Sequence, residues 1–200
     1  MKVVPPTKEG IDTAAAALRA GAIVAYPTET IYGLAVDPFS VEALDRLYAA
    51  KGRVAREPVL LIIGDREHLG RVASNLSAKA IEMADAFWPG PLSMLLGPAP
   101  RLPRTLLGKE GKVCVRWSSS QTAQALCIAF GGPITSTSAN RSGEAPARSA
   151  LDISLSGIDV LLDGGRIENT EVSTVYDPET NTVHRAGAVT REQLDAVSVS

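Results

Sequence analysis

The sequence is short of the residues that mark secreted, zinc-binding or membrane proteins. It has two cysteines, Cys114 and Cys127, with no CxxC pair and no histidine cluster beside them. This arrangement gives no zinc signature and suits a protein kept in a reducing cytoplasm. The N-terminus has no apolar segment typical of a secretory signal, and the longest aliphatic run, residues 59–63, is too short to span a bilayer. We therefore expect a cytoplasmic protein without membrane contact.

Aromatic residues and net charge are also low. Phe, Trp and Tyr make up 4% of the 200 residues, whereas 45% of the residues are apolar, so the core must be mostly aliphatic. The formal net charge of −2 argues against a surface coated with cations for bulk binding of nucleic acid. The 20 lysines and arginines still permit a local cationic pocket.

Helical and extended patterns interleave along the chain. Helical periodicity or capping residues predict helices at residues 10–21, 40–52, 77–87 and 121–132. Apolar runs predict strands at residues 22–26, 58–63, 92–96, 112–117 and 133–135, and later at 159–165, 173–177 and 182–185. Residues 136–149 are predicted to form a polar loop. The pattern predicts one α/β domain with a twisted mixed sheet flanked by helices, and antiparallel pairing among the late strands.

The segment AYPTETIYGL, residues 25–34, places Thr28 and Thr30 around a glutamate directly after an apolar run. The threonine hydroxyls can bond backbone groups of a turn that follows Pro27. They can also line a ligand site at the carboxyl end of a strand. The segment alone leaves both interpretations open.

Two cations follow in the segment KGR. Lys51 lies in the last turn of a predicted helix, where a cation offsets the helix dipole by about 0.3–1 kcal/mol. Arg53 lies beyond Gly52, the predicted end of that helix, so the dipole does not explain it. Two cations fixed by a helix end and a strand start are suited to binding a polyphosphate.

Two further polar features stand out. Arg116 lies on a predicted strand, on the face opposite Val113 and Val115, and needs an anion there, either a structural carboxylate or that of a ligand. The segment STSANRSG, residues 136–143, offers hydroxyls and an amide before a glycine. The sequence has neither a GxxxxGK(S/T) phosphate loop nor a GxGxxG fingerprint. His68 and His184 form no catalytic pattern and are more consistent with structural roles.

The order of these segments resembles that of the YrdC-like family, the threonylcarbamoyl-AMP synthases. The motifs that carry the resemblance are YPTETIYGL, KGR, WPGPLSMLL, VCVR, STSANRSG and STVYD followed by HRAG. The resemblance runs from about residue 10 to residue 190. The chain is similar to the short, single-domain form of the family, without an additional C-terminal domain. It implies the YrdC-like α/β fold.

The resemblance also implies a role for each candidate residue. The residues expected at an L-threonine site, with the arginine facing the substrate carboxylate, are Thr30, Arg116, Ser136 and Ser173. The residues expected to bind ATP are Lys51, Arg53, Ser138, Asn140 and Arg185. Lys51 and Arg53 are also expected to be catalytic, because they hold the ATP phosphates.

The implied reaction joins L-threonine, bicarbonate and ATP into threonylcarbamoyl-AMP and pyrophosphate. Mg²⁺ bound to the ATP phosphates is the expected cofactor, and no protein metal site is expected. The adenylate is expected to pass transiently to the tRNA threonylcarbamoyl-transferase complex, which modifies the adenosine beside the anticodon.

Two alternatives stay open. The related domain of hydrogenase-maturation proteins forms a carbamoyl adenylate, but within much longer chains that also carry zinc fingers. The other alternative is a module that binds double-stranded RNA or tRNA weakly, without forming an adenylate, through a local patch of Lys51, Arg53, Arg56, Arg141 and Arg148.

Overall fold

The computed structural model describes residues 1–52, 59–141, 144–169 and 171–197. The strands are β1 Lys2–Val4, β2 Val24–Pro27, β3 Tyr32–Ala35, β4 Leu60–Ile63, β5 Leu92–Leu96, β6 Val113–Trp117, β7 Ile134–Thr135, β8 Thr137–Ser138, β9 Val160–Leu162, β10 Thr174–Asp177 and β11 Thr182–Arg185. The helices are α1 Lys8–Arg19, α2 Val41–Lys51, α3 Leu69–Val72, α4 Ala78–Phe87, α5 Gln121–Phe130 and α6 Arg191–Ala196. No helix in these ranges is both long enough and apolar enough to cross a bilayer.

The strands are divided between two mixed sheets. The five-stranded sheet has the order β1-β9-β2-β3-β8, and the six-stranded sheet has the order β11-β10-β5-β6-β4-β7. In the first, β9 is parallel to β1 and β2, whereas β3 is antiparallel to β2 and β8. In the second, β5 is parallel to β10 and antiparallel to β6, and β10 is antiparallel to β11. The predicted α/β class with mixed pairing is confirmed, and the division into two sheets is an addition to it.

Apolar side chains from both sheets pack into one main core. Ala25 and Leu34 of the five-stranded sheet belong to the same buried cluster as Leu61, Met94 and Val115 of the six-stranded sheet. Because successive side chains of a strand point to opposite faces, the neighbouring residues are directed away from this cluster. The main core therefore joins the two sheets.

A second apolar cluster uses the other face of the same strands. Val24 and Ile62, which alternate with main-core residues, pack there with Leu18 of α1 and Leu126 of α5. These four side chains are fully buried, so each contributes about 1.5–3 kcal/mol to the stability of the fold relative to an exposed position. Helices α1 and α5 thus cover one side of the strands, and the main core covers the other.

Helix α2 begins and ends at the capping residues that its sequence predicts. The Ser40 hydroxyl accepts a 3.2 Å hydrogen bond from the backbone N–H of Ala43 at the start of the helix. Gly52 ends it with a left-handed φ of 63°, a conformation that costs glycine little. Leu44 and Leu47 are buried as their spacing predicts. This capping fixes the position of Lys51, the last helical residue.

Among the described residues, five helices and strands were not predicted from sequence, and the short helix α3 is one of them. Strands β3 and β8 fall in segments interpreted as loops, and β8 interrupts the predicted polar loop at 136–149. Their short, partly polar sequences acquire extended structure by pairing with each other, with Gly33 opposite Ser138. Strand β1 and helix α6 lie outside residues 10–190, yet β1 pairs with β9 and Leu194 of α6 is buried in the main core.

Candidate active site

A cavity of about 270 Å³ is lined by both sheets. One part of its wall comes from the loop between β2 and β3 and from β8, and the rest comes mainly from β4, β5, β6, β10 and β11. The lining includes most of the candidate residues predicted from sequence, namely Thr30, Arg116, Ser136, Ser138, Ser173 and Arg185. Residues far apart in the chain are therefore brought to one place.

The two threonines of the β2–β3 loop have different surroundings. The Thr28 hydroxyl accepts hydrogen bonds from the backbone N–H groups of Thr30 and Ile31, both at 3.2 Å, and donates to the Ile31 carbonyl at 2.7 Å. The Thr30 hydroxyl lies 3.1 Å from that of Thr28 and lines the cavity. Thr28 thus stabilises the turn, and Thr30 is available to a ligand.

Gly33 of β3 gives Ser136 its place in the cavity wall. A Cβ atom at Gly33 would lie 2.7 Å from the Ser136 hydroxyl oxygen, closer than non-bonded atoms approach. The backbone N–H of Ser136 donates to the Leu60 carbonyl at 2.7 Å, which holds the serine between β7 and β8. Any larger residue at position 33 would displace this hydroxyl.

Arg116 combines the two environments that the sequence left as alternatives. Its side chain is 2% exposed, and its Nε atom lies 3.4 Å from Oε1 of Glu29. The Ser118 hydroxyl donates to the other carboxylate oxygen of Glu29. Arg116 also lines the cavity. It therefore contacts a structural carboxylate and also forms part of the cavity wall.

Ser173 and Arg185 form a connected pair in the wall. The Arg185 guanidinium donates to the Ser173 carbonyl from Nε at 3.1 Å and from Nη2 at 2.9 Å, and Nη2 also donates to the Ser173 hydroxyl at 2.9 Å. The Ser173 hydroxyl accepts a further 3.0 Å bond from Ser93 of β5. Burial, together with the charge of Arg116, lowers the pKa of Arg185 from its ordinary value, although an arginine stays protonated in proteins.

Lys51 reaches the segment that carries Ser138 and Asn140. Its side chain is buried, and Nζ donates to the Asn140 carbonyl at 2.8 Å and to the carbonyl of Ser138. The Asn140 side-chain amide donates to the Arg141 and Glu144 carbonyls, at 3.1 and 2.6 Å. The end of α2 and the S-x-N segment, separate motifs in the sequence, are thus in direct contact beside the cavity.

Lys51, Arg53 and Arg56 are the predicted cations at the end of α2 and in the segment that follows it. Arg53 and Arg56 lie outside the described residues. Lys51 was predicted to belong to a surface patch for RNA, but its side chain is only 3% exposed because it is bound to two backbone carbonyls. In the protein without ligand, Lys51 therefore adds little exposed charge to the predicted patch, which stays a prediction.

The charge of the cavity is positive. Arg116 and Arg185 line it, and the described lining residues include no aspartate or glutamate. Cys114 also lines it, and burial raises the pKa of that thiol to about 11, so it stays uncharged at neutral pH. The lining also includes Ser93 and His184, which the sequence did not assign to the site. Cationic groups among hydroxyls suit a ligand that is both anionic and rich in hydrogen-bonding groups.

One group of described residues has the composition of a metal site but already holds a cation. Ligand atoms of Glu110, Asp177 and His184 lie within 4.8 Å of one another. The Lys112 ammonium, however, contacts both oxygens of the buried Asp177 carboxylate at 2.8 and 2.7 Å. An ion bound there would have to compete with the lysine.

The family model Sua5/YciO/YrdC, described as telomere recombination, matches residues 16–187. The chain belongs to this family. Two curated relatives are called threonylcarbamoyl-AMP synthase. That of Halorhodospira halophila is 44% identical over 70% of this chain and 73% of its own length. That of Chromohalobacter salexigens is 40% identical over 86% of this chain and 94% of its own length.

A solved member of the Sua5/YciO/YrdC family has the same fold. The crystal structure of P. abyssi Sua5 complexed with L-threonine matches 98% of this chain with a TM-score of 0.91 and 32% identity. This chain spans 59% of that longer protein. The family resemblance predicted from the order of the motifs is confirmed.

Proposed function

We propose that the protein is an L-threonylcarbamoyladenylate synthase, a nucleotidyltransferase that forms threonylcarbamoyl-AMP and pyrophosphate from L-threonine, bicarbonate and ATP. The observation that carries the proposal is the cationic cavity, which collects predicted threonine and nucleotide residues from both sheets. The synthase relatives and the threonine complex of P. abyssi Sua5 support it.

The amino acid binds at the end of the cavity that holds Arg116. The guanidinium receives the threonine carboxylate in a charge-assisted hydrogen bond. Hydroxyls of Thr30, Ser136 and Ser173 surround the polar part of the substrate, and the apolar side chains in the wall, such as Leu95, are available to its methyl group.

The nucleotide binds where α2 meets the S-x-N segment. Lys51 and Arg53 neutralise the ATP phosphates, and Ser138, Asn140 and Arg185 complete this part of the site. Mg²⁺ enters on the phosphates, since phosphate oxygens are ligands that it prefers and the described lining offers it no carboxylate. When bound, the ion adds further positive charge against the phosphates.

The reaction asks for positioning and charge neutralisation more than for protein acids and bases. The threonine amine attacks the bicarbonate carbon and a water molecule leaves, which gives a carbamate. A carbamate oxygen then attacks the α-phosphorus of ATP, and pyrophosphate leaves. Holding the two reactants together and stabilising the phosphate charge supply the catalysis. The cationic lining is consistent with this, and we assign no general base.

The product is a labile mixed anhydride, so it must be consumed soon after release. We propose transient handover to the tRNA threonylcarbamoyl-transferase complex. We place the reaction in the cytoplasm, which suits the two free, buried cysteines, Cys114 and Cys127.

One assay tests the proposed function. Pyrophosphate release from Mg-ATP is measured with threonine, bicarbonate or both omitted, and the adenylate is identified by mass. We expect release only when both co-substrates are present. Release at the same rate without threonine would overturn the assignment.

A further inference from the structure

Glu29 lies in the β2–β3 loop, between Thr28 and the cavity residue Thr30. Its side chain is 14% exposed and does not line the cavity. Its backbone carbonyl accepts a 3.3 Å hydrogen bond from the Asn169 side chain. The carboxylate therefore contacts Arg116 without being part of the cavity wall.

The two oxygens of this carboxylate have different partners. One accepts a hydrogen bond from the hydroxyl of Ser118, which is 0% exposed and also accepts from the Ser120 backbone N–H at 3.2 Å. The other lies 3.4 Å from Nε of Arg116. Ser118 thus anchors the carboxylate, and the carboxylate faces one edge of the guanidinium.

The shape of a guanidinium makes that edge important. The group is planar, with its donors in a fixed fork, so holding the Nε edge also sets the direction of the two terminal nitrogens. Nε of Arg116 is buried against Glu29, whereas the residue as a whole lines the cavity. The terminal nitrogens are consequently the part of the group that remains for a ligand.

The contact is also incomplete. Nε of Arg116 and Oε1 of Glu29 are both buried, and neither has a hydrogen-bond partner within the described ranges. Charge-assisted hydrogen bonds are normally about 2.7–2.9 Å long, so a separation of 3.4 Å is a weak pair. Glu29 orients Arg116 without satisfying it, and the arginine keeps its capacity to bind a second carboxylate.

We propose that Glu29 is a positioning residue for amino-acid binding: its carboxylate, anchored by Ser118, fixes the Nε edge of Arg116 and directs the terminal nitrogens to the substrate carboxylate. This inference rests on the proposed function. The alternative is that Glu29 is a counter-ion that competes with the substrate carboxylate for Arg116. The two predict opposite changes in threonine affinity when the charge of Glu29 is removed.

Steady-state kinetics of four single variants and one double variant show whether the threonine KM rises or falls when the charge of Glu29 is removed. Glu29→Gln keeps the shape of the side chain and removes its charge, and Glu82→Gln makes the same change at an exposed position of α4. Ser118→Ala removes the anchor, and Ser119→Ala is its exposed neighbour control. For Glu29→Gln we expect the threonine KM to rise about tenfold, equivalent to about 1.4 kcal/mol, with the ATP KM and kcat changed less than about twofold.

Ser118→Ala should raise the threonine KM in the same direction by less. The double variant Glu29→Gln/Ser118→Ala should have the same threonine KM as Glu29→Gln alone, because both changes act through one contact. Both controls should match the unchanged protein. A threonine KM that stays the same or falls in Glu29→Gln would overturn the proposal, and an equal loss in the threonine and ATP parameters would point to a general structural defect instead.

A measurement without turnover separates this inference from the proposed function. In ¹⁵N-edited NMR, the Nε–H signal of Arg116 is identified by its loss in Arg116→Lys. We expect it to exchange slowly with water in the unchanged protein and in Glu82→Gln, and to exchange rapidly or shift in Glu29→Gln. Absence of threonine-dependent pyrophosphate release would defeat the proposed function alone, whereas an unaltered Arg116 signal in Glu29→Gln would defeat the positioning role.

Discussion

Replacing Arg116 with alanine separates its contribution to the fold from its contribution to binding. In the free protein the side chain is 2% exposed and lies 3.4 Å from the Glu29 carboxylate. The truncation leaves that carboxylate without its cation, although the Ser118 hydroxyl still donates to it. It also removes the group that we assign to the threonine carboxylate.

The loss of stability should be moderate. Removing one partner of a well-formed buried ion pair costs about 3–5 kcal/mol. Here the pair lacks a hydrogen bond and Glu29 is partly exposed, so we expect about 1–3 kcal/mol. In a domain of this size that corresponds to a fall in Tm of about 2–12 °C. The double variant Arg116→Ala/Glu29→Gln should recover part of this loss, because it leaves no unpaired carboxylate.

Thermal melts with and without threonine test both contributions. At a threonine concentration of about 100 times Kd, binding stabilises a protein by about 2.7 kcal/mol. This should raise the Tm of the unchanged protein and leave that of Arg116→Ala unchanged, while ATP still raises both. A threonine-induced shift that survives in Arg116→Ala would refute the carboxylate contact. A loss of more than about 5 kcal/mol without ligand would show that Arg116 is mainly structural.

Three further results are expected. Lys51→Met should abolish threonine-dependent pyrophosphate release, and it should also lower the Tm because two backbone carbonyls lose their donor. The exposed control Lys109→Met should change neither property. A fully active Lys51→Met would contradict the proposed role of Lys51 at the phosphates. Burial acts to raise the pKa of Asp177, but hydrogen bonds from Lys112 and the backbone lower it by more, so the net pKa lies below 3.8. The stability that this carboxylate contributes is therefore present above pH 3.8 and is lost as the pH falls through its folded pKa. In urea denaturation between about pH 2 and pH 5, the free energy of unfolding should depend less on pH in Asp177→Asn than in the unchanged protein. The same pH dependence in both proteins would argue against a lowered pKa for Asp177. Serine should replace threonine with a kcat/KM lower by the equivalent of about 1–3 kcal/mol, the value of one methyl group in an apolar pocket, and equal values for the two amino acids would exclude such a pocket.

Helix ends and aliphatic strands could be predicted from sequence because their signals are local. Ser40 and Gly52 cap α2 with side-chain and backbone geometry that their residue types favour. Strand β5 coincides with the apolar run at 92–96. Pairing is different, since nothing near β9 indicates that it lies between β1 and β2, distant in the chain. The division into two sheets depends on such long-range contacts.

The same distinction applies to the site. The motifs predicted a group of residues, and the fold brings Thr30 and Arg116 to one cavity. The sequence could not decide between two anions for Arg116, because the carboxylate that faces it belongs to Glu29, in a distant loop. Ser93 gave no signal either, since a single serine in an apolar strand looks like any other core position until its hydroxyl is found against that of Ser173.

Ser136 lies at the point where the chain leaves one sheet for the other. It follows β7 of the six-stranded sheet and precedes β8 of the five-stranded sheet, and its side chain is in the cavity wall. A molecule bound there, in contact with Thr30 on one side and Arg116 on the other, acts as a non-covalent cross-link. Partial unfolding that separates the sheets would first require its release, so binding adds to the free energy of that opening. Backbone amides of β3 and β6 should then become slower to exchange with deuterium together, although they belong to different sheets.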